Sequence, residues 1–107
     1  MSDVFQRVLA LARSGDIRIS EHGYDAMVED DLSAREVIGG LSAGVVVEDY
    51  PDYGKGPCVL VRQPDRTGAP IHVVWGIPKG AVSPTVLVTA YRPDPARWSD
   101  DFMRRKQ

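Results

Sequence analysis

At Gly44 the hydrophobic pattern of the chain changes period, and no other feature of the sequence limits the fold as much. Before it, apolar residues recur three and four positions apart, as in helices that bury one face. After it come four short valine-rich runs: VVVEDY (45–50), CVLVRQ (58–63), PIHVVWGI (70–77) and TVLVTAY (85–91). Such density of β-branched and aromatic side chains suits a pleated sheet. The runs are separated by PDYGKGP, PDRTGA and PKGAVSP, whose prolines and glycines interrupt the ladder and turn the chain. Three short connections in succession predict an antiparallel meander. Helices first and strands after predict an α+β domain: N-terminal helices packed on one face of a four-stranded antiparallel sheet, the other face partly open. The 107 residues have room for one such domain.

The helical half has clear punctuation. In DVFQRVLALAR (3–13), Val4, Val8 and Leu11 fall at helical spacing beside Phe5, Leu9 and Ala12, with Ser2 as cap and Ser14-Gly15 as terminator. Ile17 and Ile19 alternate with Arg18 in a short extended link. Ser20 predicts an N-cap for a helix over 21–30 with Tyr24, Met27 and Val28 inward. Ser33 and Glu36 form an S-x-x-E capping box for a helix that carries Val37, Ile38 and Leu41 and closes at Gly44. Inside it, Gly39 and Gly40 each cost about 1 kcal/mol relative to alanine, so the pair marks close contact with a neighbour. The tail ARWSDDFMRRK predicts one or two helical turns capped by Ser99, with Trp98 as the hydrophobic anchor that docks it.

Composition narrows the class. No run approaches the roughly 18 apolar residues of a membrane span, and Asp3, Arg7 and Arg13 make the N-terminal segment an amphipathic helix and not a signal peptide. The single cysteine, Cys58, rules out an internal disulfide and agrees with a cytoplasmic location without membrane association. The formal charge is −2, split as −4 over residues 1–44 and +2 over residues 45–107. Any basic face must therefore come from the C-terminal half, which argues against strong non-specific nucleic-acid binding.

Chemistry-bearing residues are few. The two histidines are His22, at the predicted start of the second helix, and His72, in the third valine-rich run. A helix N-terminus favours a neutral imidazole and offers backbone N–H groups to a phosphate, so His22 suits a general base. Its alternative is local packing beside Ser20 and Glu21. Alternation in the strand puts Ile71, Val73, Trp75 and Ile77 on the face toward the helices and His72 with Val74 on the open face, as either a solvated strand residue or a site residue. In the last strand Leu87, Thr89 and Tyr91 share one face and Val86, Val88 and Ala90 the other. With the smaller valine set as core, Thr89 and Tyr91 lie on the open side, beside His72 if the register allows. Arg92 at the strand exit reads as a phosphate clamp, or as a partner of Asp94 or Asp49. His22, His72 and Cys58 have no metal-ligand spacing; no metal and no cofactor is expected, and Cys58 reads as a small packing hydrophobe.

Three motifs in order, ISEHGYDAMVEDDLS, GAPIHVVWGI and TAYRPDPARW, resemble the small bacterial proteins of domain-of-unknown-function family 4258, from about Ile17 to the C-terminus. That family is similar in fold to the RelE and BrnT toxins, so the resemblance implies a RelE-like domain acting as a toxin-antitoxin toxin, with metal-independent endoribonuclease activity. It implies RNA and a small zinc-finger antitoxin as partners; a homo-oligomer is compatible with it. The motif positions carry over as His22, Met27, His72, Thr89, Tyr91, Arg92, Pro93 and Trp98. His22 would be the base, His72 a second proton-transfer or phosphate-binding group, and Arg92 the charge stabiliser, with Thr89 and Tyr91 positioning. The resemblance implies arginine at the places of Ala26 and Asp30, so two bases are absent here and one acid is added. If those arginines neutralise phosphate, this chain is a poorer ribonuclease than its relatives, and if they are structural, nothing functional follows. The alternative is a non-catalytic module on the same fold that binds a protein partner through the open face or the sheet edge.

Overall fold

The computed structural model describes residues 2–107. Helix α1 (Asp3–Arg13) begins where the Ser2 side chain accepts the Phe5 N–H. Strand β1 (Ile17–Ile19) follows, then α2 (Glu21–Glu29), whose cap Ser20 accepts the Gly23 N–H. The Ser33–Glu36 capping box is complete in both directions at the start of α3 (Ala34–Gly39), and a 3₁₀ turn over Leu41–Ala43 leads into the sheet. The remaining strands are β2 (Val45–Tyr50), β3 (Cys58–Pro64), β4 (Pro70–Gly76) and β5 (Thr85–Tyr91). These caps form because donor and acceptor lie three residues apart, which the local sequence alone decides.

The sheet has five strands in the order β1-β5-β4-β3-β2 and is mixed, which corrects the expected four-stranded antiparallel sheet. The meander of β2 to β5 is present, but the Ile17–Ile19 link joins as a parallel fifth strand on β5, with Ile17 opposite Thr85 and Ile19 opposite Leu87. The physical reason is the edge that a meander leaves on its last strand: unpaired N–H and C=O groups there take whatever extended segment can reach them. Past β1 the same edge is taken by α2. The Ser20 N–H donates to the Leu87 carbonyl and the Ser20 hydroxyl to that of Val88. The helix can approach this closely because residue 23 is glycine: a Cβ there would stand 2.7 Å from the Leu87 oxygen.

The helices cover one face of the sheet. Val4 and Val8 of α1, Met27, Leu32, Val37 and Leu41 pack against Val59, Val61, Ile71, Val73, Trp75, Leu87 and Ala90. Each aliphatic side chain so buried contributes about 1.5–3 kcal/mol. The polar groups in this layer are satisfied: Trp75 Nε1 donates to Gln63 Oε1, and Gln63 Nε2 to the Val37 carbonyl. Tyr24 and Val28 are not inward, as their helical spacing suggested, but 55% and 80% exposed. Because α2 lies along the sheet edge, only the narrow stripe through Gly23 and Met27 is covered. Of the paired glycines, Gly40 makes the close approach, against the Pro64 carbonyl, while a Cβ on Gly39 would meet nothing within 4 Å.

Candidate functional site

The face opposite the helices is set by register. Arg62 stands across from His72 and Leu60 across from Val74, and these pair onward with Tyr91 and Thr89. Thr89 and Tyr91 thus share a face with His72. The division of β5 into a Leu87 set and a valine core set needs correction, because the pairing slips between Val74↔Thr89 and Trp75↔Leu87, leaving Val88 bulged. One extra residue reverses the alternation. Leu87 and Ala90 are therefore the buried pair, and Val86 and Val88 line the far face. A second bulge, at Val47 between Val46↔Val61 and Glu48↔Leu60, brings Glu48 and Tyr50 to the same far face.

This face is only half open. The tail after Pro93 is not helical; it folds into a loop closed by a bridge between Trp98 and Arg105, with the Ser99 N–H donating to the Arg104 carbonyl. Five prolines or acids in PDPARWSDD disfavour a helix, and Ser99 serves the loop: its hydroxyl donates to Asp101 and accepts from the Arg104 N–H. The loop lies across His72, which is fully buried. Trp98 packs edge-to-face on the imidazole with centroids 4.4 Å apart. The ring is tied at both nitrogens. A carbonyl can only accept, so Nε2 carries the proton and donates to the Phe102 oxygen at 2.8 Å. Nδ1 then accepts from the Tyr91 hydroxyl at 3.2 Å. Burial lowers the His72 pKa and raises that of Tyr91, so both are neutral near pH 7.

Charged contacts latch the tail. Arg105 reaches both oxygens of Glu48 at 2.9 and 3.0 Å and lies 4.7 Å over the Trp98 ring. The Arg105 guanidinium holds the Glu48 carboxyl below its usual range, and the hydrogen bond to Glu48 raises the Tyr50 pKa. Arg62 Nη1 donates to the Asp101 carbonyl at 2.9 Å. Beyond the tail the face stays uncovered as a groove of about 550 Å³ with Leu60, Val74, Val86 and Val88 along it.

The five residues assigned from sequence fall into three places. His72, Tyr91 and Thr89 share the tail-covered face. His22 sits on α2, exposed to solvent, and none of the hydrogen-bond or ring partners of His72 comes from that helix. Arg92 is engaged elsewhere, and not with Asp94 or Asp49. Its Nη1 meets Asp65 Oδ2 at 2.7 Å, its Nε donates to the Asp30 carbonyl at 3.1 Å, and its backbone N–H donates to the Asp30 carboxylate. These partners lie 27 and 62 residues away in sequence, beyond reach of local pairing rules. Asp30 therefore has a structural task in this chain. Asp65 also accepts from Thr67 and Ala69, and Arg92 chiefly holds its carboxyl far below the carboxylate range. Glu48, Tyr50, Arg62 and Arg105 were not singled out from the sequence. The bulge and tail that gather them leave no mark in hydrophobic periodicity. Among the described residues, no three histidine, cysteine or acidic side chains converge as a metal site would require.

Against known proteins, the model of a family described as a domain of unknown function (DUF4258) matches residues 19–92. No curated protein and no solved structure matches the chain.

Proposed function

The chain belongs to domain-of-unknown-function family 4258, and on that footing we propose that it is a non-catalytic module of a RelE-like toxin-antitoxin type, binding a small zinc-finger antitoxin by strand addition. The observation that carries this reading is the outer edge of β2, the one long strand with a single neighbour in the sheet. β5 is protected on its outer side by β1 and α2, whereas β2 pairs with β3 alone and keeps Val45 and Tyr50 exposed at its two ends. An extended peptide laid along such an edge gains main-chain hydrogen bonds, and side chains at alternate positions give selectivity. Two members of the expected catalytic set are engaged in this arrangement: His72 is buried beneath the tail and Arg92 is ion-paired.

The test is titration of the full chain with a purified small zinc-finger antitoxin, beside the edge variant Val45→Lys/Tyr50→Lys. Binding that weakens about tenfold or more in the variant supports the edge. Binding that is unchanged removes the edge from the proposal, and no binding to the wild type removes the partner.

A second reading, metal-independent RNA cleavage in the cytoplasm, is favoured by the gathering of Glu48, Arg62, His72 and Tyr91 on one sheet face. Cleavage needs a base for the ribose 2′-hydroxyl, an acid for the leaving 5′-oxygen and a cation for the phosphate. It is decided by RNA cleavage in EDTA with wild type, His22→Ala and His72→Ala. The binding reading expects no cleavage by any of the three. Activity in the wild type that is lost in His72→Ala establishes the second reading.

A further inference from the structure

The uncovered half of the far face has the features of a ligand site. Leu60, Val74, Val86 and Val88 lie along a groove of about 550 Å³, within the range of sites for small organic ligands. Its walls are fixed in the free protein. The Ile77 N–H donates to the Pro57 carbonyl at 3.0 Å and the Lys79 N–H to that of Lys55 at 3.2 Å, tying the β2–β3 loop to the segment after β4. One lining residue is charged, Lys55, and its ammonium has no hydrogen-bond or ion-pair partner among the described residues.

We propose that this groove binds a small amphipathic carboxylate, with an aliphatic body along the valine side chains and its carboxylate at Lys55. The charge asymmetry selects the anionic end: an apolar lining with one unpaired cation complements an apolar molecule with one negative group. The lining also selects against a peptide. A buried peptide backbone must pair each N–H and C=O, and along the groove, apart from Lys55, only the Tyr50 and Tyr53 hydroxyls, the former already donating to Glu48, stand beside apolar side chains, whereas an alkyl chain has no such requirement. The groove lies apart from the tail-covered histidine and meets the β2 edge only at Tyr50, so its occupancy is tested with Tyr50 unchanged, whichever of the other roles is correct.

Cys58 lines the groove and is the only cysteine, so its alkylation by iodoacetamide reports occupancy. The probes are decanoate, decanol and decyltrimethylammonium, all at one concentration below the solubility limit of decanol. Decanoate slows alkylation several-fold, and the neutral and cationic probes protect less. Lys55→Glu weakens protection by decanoate about fivefold or more and strengthens that by decyltrimethylammonium. Lys55 is exposed and without a side-chain partner, so this variant keeps the fold. Gly76→Val fills the floor: its Cβ stands in ordinary contact, 3.5 Å from Cys58 Cβ and Val88 Cγ2, and the remaining methyl groups occupy the groove. It abolishes protection while circular dichroism stays native. Failure of decanoate to protect Cys58, equal protection by all three probes, or equal decanoate protection in Lys55→Glu overturns the proposal.

Discussion

The Nε2 of His72 lies 2.8 Å from the main-chain oxygen of Phe102, thirty residues later in the sequence. A strand residue in the middle of the sheet is thus the attachment point of the tail. The same contact fixes which nitrogen is protonated, and leaves Nδ1 as acceptor for Tyr91.

This attachment makes stability depend on pH. Burial holds the folded-state pKa of His72 below its ordinary 6.5, so the unfolded chain takes up the proton first. The stabilisation is complete above about pH 6.5 and is lost as pH falls from there through the lowered folded value. The unfolding free energy of the wild type from urea titration should therefore fall more between about pH 7.5 and pH 5 than that of His72→Gln, by at most about 1.4 kcal/mol per pH unit. Parallel curves for the two proteins would contradict the assignment of a neutral, buried imidazole.

The tail should open as a unit. Trp98 packs on His72 and beneath Arg105, and the loop closes through the Trp98–Arg105 bridge. Trp98→Ala removes the central contact of this cluster. Amide exchange at Ser99 and Lys106, whose N–H groups donate to Arg104 and Arg97 within the loop, should accelerate by more than tenfold, while Val73 in β4 keeps its protection. Equal acceleration at Val73 would mean that the tail is an integral part of the core.

Asp65 should matter more for stability than either histidine. Its buried carboxylate accepts from Arg92, Thr67 and Ala69, so Asp65→Ala leaves several donors without a partner and should cost about 2–4 kcal/mol in chemical denaturation. Its folded-state pKa is lowered, chiefly by Arg92, so the contribution is present above the ordinary 3.8 and disappears as pH falls below that value. Wild-type stability should decline more steeply below about pH 4 than that of Asp65→Asn. A loss below 1 kcal/mol for Asp65→Ala would show that Arg92 finds an equivalent partner.

The two adjacent glycines give a matched pair of outcomes. A methyl group on Gly39 meets nothing within 4 Å, so Gly39→Ala should stabilise by about 0.5–1 kcal/mol through helix propensity. On Gly40 it meets the Pro64 carbonyl and the Gln63 amide, and Gly40→Ala should destabilise by about 1–3 kcal/mol. Thermal melts of both variants decide it; shifts of the same sign would refute the packing argument.

What the sequence made legible follows the range of the interactions. Ser2, Ser20 and Ser33 announce their helices because each cap is completed within three residues. The four valine runs announce strands because alternation is local. Ile17–Ile19 becomes a strand only by meeting β5, 68 positions away; its alternation marks an extended link but carries no sign of the strand it pairs with. The faces of β5 were misassigned for a similar reason: a bulge at Val88 is decided by pairing with β4 and not by the residues of β5. The site suffered most. His72 and Tyr91 were found, but the tail that covers them, and Glu48 that holds the tail, came together only through tertiary contacts.

The parallel pairing of β1 with β5 also orders events during synthesis. The ribosome makes Ile17–Ile19 early, yet its hydrogen-bonding partners, Thr85 to Leu87, are among the last strand residues to emerge. The Ser20 hydroxyl and the Gly23 contact wait on the same strand, and Asp30 waits for Arg92. The segment from β1 to the end of α2 thus lacks its main docking surface until translation has passed residue 92, and residues 17–30 are held in place by a strand made after the rest of the sheet.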